Sequence, residues 1–271
     1  MLCTKPFRKD GLEFGCGQCL ACRINRARLW TGRIVLESFC HESNCFVTLT
    51  YDDEHLPLNG SLVKEHPQLF LKRLRKRVSP QLIRFYLCGE YGEKTQRPHY
   101  HMIIFGIGPE YEAIIQECWD HGFVHCGTVD HRSAAYVAGY VHKGLKANHP
   151  DLRGRYPEYS RMSLRPAIGK RGTDNICEAH SMTDEDEPPR VFRVGGTDYP
   201  LGRYLSNYVR TIFGYESPKE RHKANTYITQ FKRIEELGSV AKFVDEQQSK
   251  RTASDHRSQA RQRFNRTLRT L

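Results

Sequence analysis

No stretch of this 271-residue chain approaches the run of about 18 apolar residues that a membrane-spanning helix needs, and no charged-then-apolar signal opens it. A soluble, cytoplasmic protein is therefore expected, with no membrane partner. A Gly-x4-Gly-Lys-Ser/Thr loop is also missing, so any NTP-driven unwinding must be supplied by another protein. Acidic groups are the minority: 31 Asp and Glu face 42 Lys and Arg, giving a net charge of +11. That balance favours a polyanionic partner, nucleic acid before others, although charge alone leaves a ribosomal or generic basic protein open.

Cysteine, by contrast, is abundant, at ten residues. Its spacing argues against a secreted disulfide framework. Cys16, Cys19 and Cys22 fall at successive x2 intervals in a Gly-rich stretch, and Cys3 is near enough to fold back as a fourth ligand. Four thiolates suit tetrahedral Zn²⁺; reduced, partly buried thiols are the alternative. The bacterial iron–sulfur run continues C-x3-C-P after the same beginning, whereas position 26 here is Arg. Cys40, Cys45, Cys88, Cys118, Cys126 and Cys177 read as ordinary small apolar residues.

Two segments carry chemistry. Along Arg97-Pro98-His99-Tyr100-His101-Met102-Ile103-Ile104-Phe105, strand alternation sends His99 and His101 out of one face while Met102 and Ile104 enter a core on the other. This makes a two-histidine metal platform. Farther along, Tyr136, Tyr140 and Lys143 line one face of a helix, with neighbouring Cβ atoms roughly 6 Å apart. A phenol, with a reference pKa of about 10, is a poor nucleophile near neutrality and needs an electrophile already polarised. A divalent ion on the two histidines can withdraw charge from a phosphate and align it for in-line attack by a tyrosine. Lys143 can neutralise phosphate charge or sit as a helix-end lysine.

Periodicity sets these motifs on elements. Leu20, Ile24, Ala27, Ile34 and Val35 mark a basic amphipathic helix. Cys45 to Tyr51 reads as a central strand, and Leu71, Leu74 and Val78 as a helix ending at Ser79-Pro80. Ile83 to Glu90 and His99 to Gly106 form an antiparallel hairpin. Ile114, Ile115, Cys118 and Trp119 mark a helix, Phe123 to Val129 a strand, and Ser133 caps the tyrosine helix. The order β-α-ββ-α-β-α implies an α+β fold with helices on a mainly antiparallel sheet. Beyond residue 145 the signal fades. Residues 184–189 look like an exposed acidic loop, and 251–271, with six arginines and one acid, like a basic tail or frayed helix.

In three blocks the chain resembles the HUH endonucleases, and more closely the replication initiators of microviruses, the gokushovirus-type single-stranded DNA phages. They are Cys45-Phe46-Val47-Thr48-Leu49-Thr50-Tyr51, His99-Tyr100-His101, and Tyr136-x3-Tyr140-x2-Lys143. Cys16-Gly17-Gln18-Cys19-Leu20-Ala21-Cys22-Arg23 and Glu90-Tyr91-Gly92 are similar to the phage branch in particular. So is Ser160 to Gly169, with Ala167 where glycine is expected. The resemblance implies a palm-like or RRM-like sheet of about five strands with the histidines central. It divides the chain into 1–44 (cysteine cluster and basic helix), 45–170 (endonuclease core) and 171–271 (an extension with a basic tail).

An acidic third ligand is also implied. The hairpin would bring Glu90 beside the imidazoles, whereas Glu93 sits in the turn; Glu90 is taken. Mg²⁺ or Mn²⁺ is expected there and Zn²⁺ at the cysteines. The implied activity is initiation of rolling-circle replication. One strand is nicked at an origin through a 5′-phosphotyrosine, a second tyrosine permits a second transfer, and the unit-length circle is joined. Expected partners are single-stranded and viral origin DNA, with host helicase and DNA polymerase, in the cytoplasm of the bacterial host. The alternatives are an HUH transposase or relaxase, and a non-enzymatic zinc-containing DNA-binding protein with a fortuitous His-x-His. Tyr51, Tyr86, Tyr91 and Tyr100 are either base-stacking platforms or packing residues.

Overall fold

Along Asn44–Tyr51 buried and half-buried side chains alternate, with Cys45, Val47, Leu49 and Tyr51 inward, the period-two pattern of a strand with two unlike faces. This strand belongs to a computed structural model that describes residues 2–9, 12–139, 152–183, 187–215 and 218–267. In chain order its elements are β1 (Phe7–Lys9), β2 (Leu12–Phe14), α1 (Leu20–Ser38), β3 (Asn44–Tyr51), α2 (Glu65–Arg77), β4 (Arg84–Tyr91) and β5 (Pro98–Phe105). There follow α3 (Glu112–Cys118), β6 (Gly122–Thr128), α4 (His131–Gly139), β7 (Tyr159–Met162), α5 (Gly172–Ser181), β8 (Val191–Val194) and β9 (Thr197–Pro200). Helices α6 (Gly202–Ile212), α7 (Pro218–Leu237) and α8 (Val240–Thr267) complete it. The expected β-α-ββ-α-β-α order is the observed run from β3 to α4.

Two units make up the chain, one of residues 27–205 and one of residues 1–26 with 206–271. In the first, five strands pair antiparallel throughout in the order β6-β3-β5-β4-β7. The fold is α+β. One face of the sheet, through Cys45, Val47, Leu49, Tyr100, Met102 and Ile104, packs on Phe70, Leu71 and Leu74 of α2 and Ile115 and Cys118 of α3. The other, through Tyr86, Cys88, Ile103 and Phe105, packs on Ile34 and Val35 of α1 and Ala134, Val137 and Ala138 of α4. Covered on both sides, β5 is buried along nearly its whole length. Its proline stands at the first position, where no ladder hydrogen bond is lost within the strand.

Three sequence expectations change. Asp130, not Ser133, caps the tyrosine helix. Its Oδ1 accepts the N–H groups of Arg132 at 2.9 Å and Ser133 at 2.7 Å, while Ser133 Oγ accepts from Asp130 N at 2.8 Å. Ser133 is thus the returning half of a reciprocal capping pair. The fifth strand, β7, was missed because four residues, Tyr-Ser-Arg-Met, show no alternation. Residues 251–267 are neither tail nor frayed end but part of the 28-residue α8. Its buried positions include Ser254 and Ser258, which carry no apolar periodicity. Tyr51, Tyr86, Tyr91 and Tyr100 are all buried and serve packing; Tyr51 and Tyr100 join hydroxyls at 2.9 Å. Of the expected acidic loop, 184–186 lie outside the described residues.

Candidate metal centre and tyrosine helix

The β4–β5 hairpin register sets Glu90 opposite His99 and Cys88 opposite His101. Alternation then carries Glu90, His99 and His101 out on the sheet face that α1 and α4 cover. Glu90 Oε1 lies 2.8 Å from His101 Nε2 and 3.2 Å from His99 Nε2, and the three ligand atoms fall within 4.8 Å of one another. Glu90 is 3% and His101 5% exposed, while His99 is half-buried. Burial opposes ionisation of Glu90, yet the hydrogen bonds and charge of His101 and His99 hold its carboxyl down to about 2.

The other carboxylate oxygen, Glu90 Oε2, is buried with no hydrogen-bond partner. Such an orphan costs about 1–3 kcal/mol, and a cation relieves it. Two imidazole nitrogens and one carboxylate, with room for further ligands, make a donor set that divalent ions accept. Glu93 is exposed in the turn and outside the cluster.

Two neighbours were not singled out from sequence. Thr48 stands opposite His101 in the β3–β5 register, and its Oγ1 is 3.0 Å from His101 Nδ1. When the Nε2 lone pair is given to a cation, Nδ1 carries the proton and donates it to that hydroxyl, fixing tautomer and ring orientation. Phe46, two residues earlier on the same face, stacks on His101 with centroids 5.9 Å apart. Its edge-on contact with Tyr136 is at 6.0 Å. As bare sequence, Thr48 reads as a β-former; only the pairing of the first motif with the histidine strand signals its role.

Half-buried on α4, Tyr136 meets His101 edge to face, with centroids 5.2 Å apart. Its helix is anchored by Ala134, Val137 and Ala138 in the core. The structure thus brings Glu90, His99, His101 and Tyr136 together. Tyr140 and Lys143 lie outside the described residues. In the other unit, the sulfurs of Cys3, Cys16, Cys19 and Cys22 also fall within 4.8 Å. Burial pushes the Cys19 thiol up, but backbone N–H groups of Cys22 and Thr4 outweigh it and hold the thiol down to about 6. Cys22 is driven up to about 12 by burial and by the sulfurs of Cys19 and Cys3.

Fold and site together define an α+β protein whose antiparallel sheet presents a His-x-His pair and a cross-strand glutamate beside a tyrosine-bearing helix. A family model for replication-associated proteins of the ORF2 type matches residues 44–145, the segment from β3 through α4. The chain is 30% identical to replication-associated protein VP4 of Bdellovibrio phage phiMH2K, over 89% of this chain and 84% of that protein. It is 34% identical to replication-associated protein ORF2 of Spiroplasma virus 4, over 55% of this chain and 53% of that protein. For replication-associated protein ORF4 of Chlamydia phage 1 the identity is 33%, over 47% and 37%. The chain belongs to this family of phage replication-associated proteins, the microvirus-type replication initiators. No solved structure matches it. Among the described residues no helix is long and apolar enough to cross a membrane.

Proposed function

We propose that this protein is an HUH-type, metal-dependent endonuclease and strand transferase that opens rolling-circle replication by nicking one strand at the viral origin. The observation that carries the reading is the unpartnered, buried Glu90 Oε2 in a cluster with His99 and His101, against which Tyr136 packs. Glu90, His99 and His101 would hold Mg²⁺ or Mn²⁺. When bound, such an ion withdraws charge from the non-bridging oxygens of the scissile phosphate and orients it.

The tyrosine does the covalent work. As its phenolic oxygen loses its proton and bonds to phosphorus, the P–O3′ bond breaks and the 3′ oxygen leaves as a hydroxyl. The 5′ end stays on the protein as a phosphotyrosine, so a later 3′-hydroxyl can reseal the strand without ATP. Tyr136 and Tyr140 serve the two transfers of one cycle, and Lys143 neutralises phosphate charge. Thr48 and Phe46 hold His101 in place. Unwinding and synthesis fall to the host helicase and polymerase in the bacterial cytoplasm.

The test uses an origin-bearing single strand with Mn²⁺ or Mg²⁺. A covalent adduct should form on the DNA 5′-phosphate and map by mass spectrometry to Tyr136 or Tyr140. It should vanish in Tyr136→Phe/Tyr140→Phe and in excess EDTA. His99→Ala/His101→Ala should lose cleavage but keep DNA binding, which rests on dispersed basic groups. Adduct on another residue, or cleavage undiminished in EDTA, would sink the reading.

A further inference from the structure

The unit of residues 1–26 and 206–271 has little apolar core of its own. Among the described residues it contributes only Ala21 and Val209 to the buried hydrophobic set. Its inner contacts are polar: Leu2 N donates to Ser254 Oγ at 2.7 Å, Ser258 Oγ donates to Ser254 O at 2.8 Å, and Arg251 pairs with Glu13 at 2.6 Å. Units this poor in buried apolar surface commonly need a staple.

The cysteines supply the geometry of one. All four thiols are free. Cys3 and Cys19 Sγ are 3.7 Å apart, far beyond the disulfide bond of about 2.05 Å. A tetrahedral ion with Zn–S bonds of about 2.3 Å requires sulfurs about 3.8 Å apart along each edge. Gly17, at φ +71°, turns the chain into the left-handed region. The N–H groups of Gln18 and Cys19 there donate to Cys16 Sγ at 3.4 and 3.2 Å. Cys16 N donates to Cys3 Sγ at 3.2 Å. N–H groups aimed at sulfur stabilise negative charge there and so favour thiolate over thiol.

We infer that Cys3, Cys16, Cys19 and Cys22 bind one structural Zn²⁺ that staples the N-terminal segment to the start of α1 and, through Leu2, steadies α8. This centre is independent of the Glu90–His99–His101 cluster, so each can fail without the other.

The test is metal analysis of full-length protein purified reduced and without chelator. We expect about one equivalent of zinc. It should persist in His99→Ala/His101→Ala and fall to near zero in Cys19→Ser/Cys22→Ser. Should the cysteine variant not fold, X-ray absorption at the zinc edge of the parent protein decides, with four sulfurs at about 2.3 Å expected. Zinc removal should also speed amide exchange in α8 at least about tenfold while the β3–β5 ladder keeps its protection. Absence of zinc, bound iron, a nitrogen or oxygen ligand shell, or α8 exchange indifferent to the metal would overturn the inference.

Discussion

Replacing Thr48 by valine removes one hydroxyl and keeps the β-branched shape that suits β3. That hydroxyl is 3.0 Å from His101 Nδ1, and His101 is only 5% exposed, so water has little access to replace it. The cost differs between the two states of the site. Without metal, His101 can keep its proton on Nε2, donating to Glu90 at 2.8 Å, and Nδ1 merely loses a donor. The loss is then near the net value of one hydrogen bond, about 0.5–1.5 kcal/mol. With metal on Nε2 the proton must sit on Nδ1, and valine strands a buried N–H at about 1–3 kcal/mol. The difference falls on metal affinity, which we expect to weaken about 10- to 100-fold. Calorimetric titration with Mn²⁺, alongside origin cleavage at limiting and saturating Mn²⁺, reads this out. Saturating metal should restore most of the rate, and Thr48→Ser, which keeps the hydroxyl, should recover most of the affinity. If the Thr48→Val protein binds Mn²⁺ as tightly as the parent, the hydroxyl does not orient His101.

Stability has its own tests. Glu37, fully buried, pairs with Arg84 and accepts Gly169 N–H at 2.6 Å, tying α1 to β4 and to residues 165–169. Burial raises its carboxyl, but His41, the Gly169 N–H and Arg84 together hold it below its ordinary 4.5. The stabilisation is therefore complete above the unfolded value and lost as pH falls through the folded one. Glu37→Gln should cost about 3–5 kcal/mol near pH 7 by stranding Arg84, and the gap to the parent in urea denaturation should shrink below pH 4.5; a gap independent of pH would refute the charge argument. Gly122, at φ +145°, would place a Cβ 2.4 Å from Asp52 N and 2.5 Å from Thr50 O. Gly122→Ala should thus push β6 off β3 and destabilise by about 2–4 kcal/mol, and an unchanged melting temperature would contradict it.

How much was legible depended on whether a residue's signal is local. Strand alternation and helical spacing are properties of neighbours in sequence. For that reason Cys45 to Tyr51, the Glu90/His99 hairpin, the helix from Leu20 and the order of elements through α4 could be read directly, along with the shared face of His99 and His101. The x2 spacing of Cys16, Cys19 and Cys22 was local in the same sense. Other features depend on pairing between distant segments. The β3–β5 register brings Thr48 to His101, and α4 packing brings Tyr136 onto the same imidazole. β7 pairs with β4 across about seventy residues of chain, and Leu2 meets Ser254. No window of neighbouring residues contains such information, and the buried serines of α8 hide its packing face from any hydropathy pattern. The amino-acid sequence by itself determined which side chains point together along each strand and helix. Tertiary structure alone decided which strands lie side by side, because that choice is settled by burying two faces of one sheet at once, a condition on the whole unit rather than on any segment.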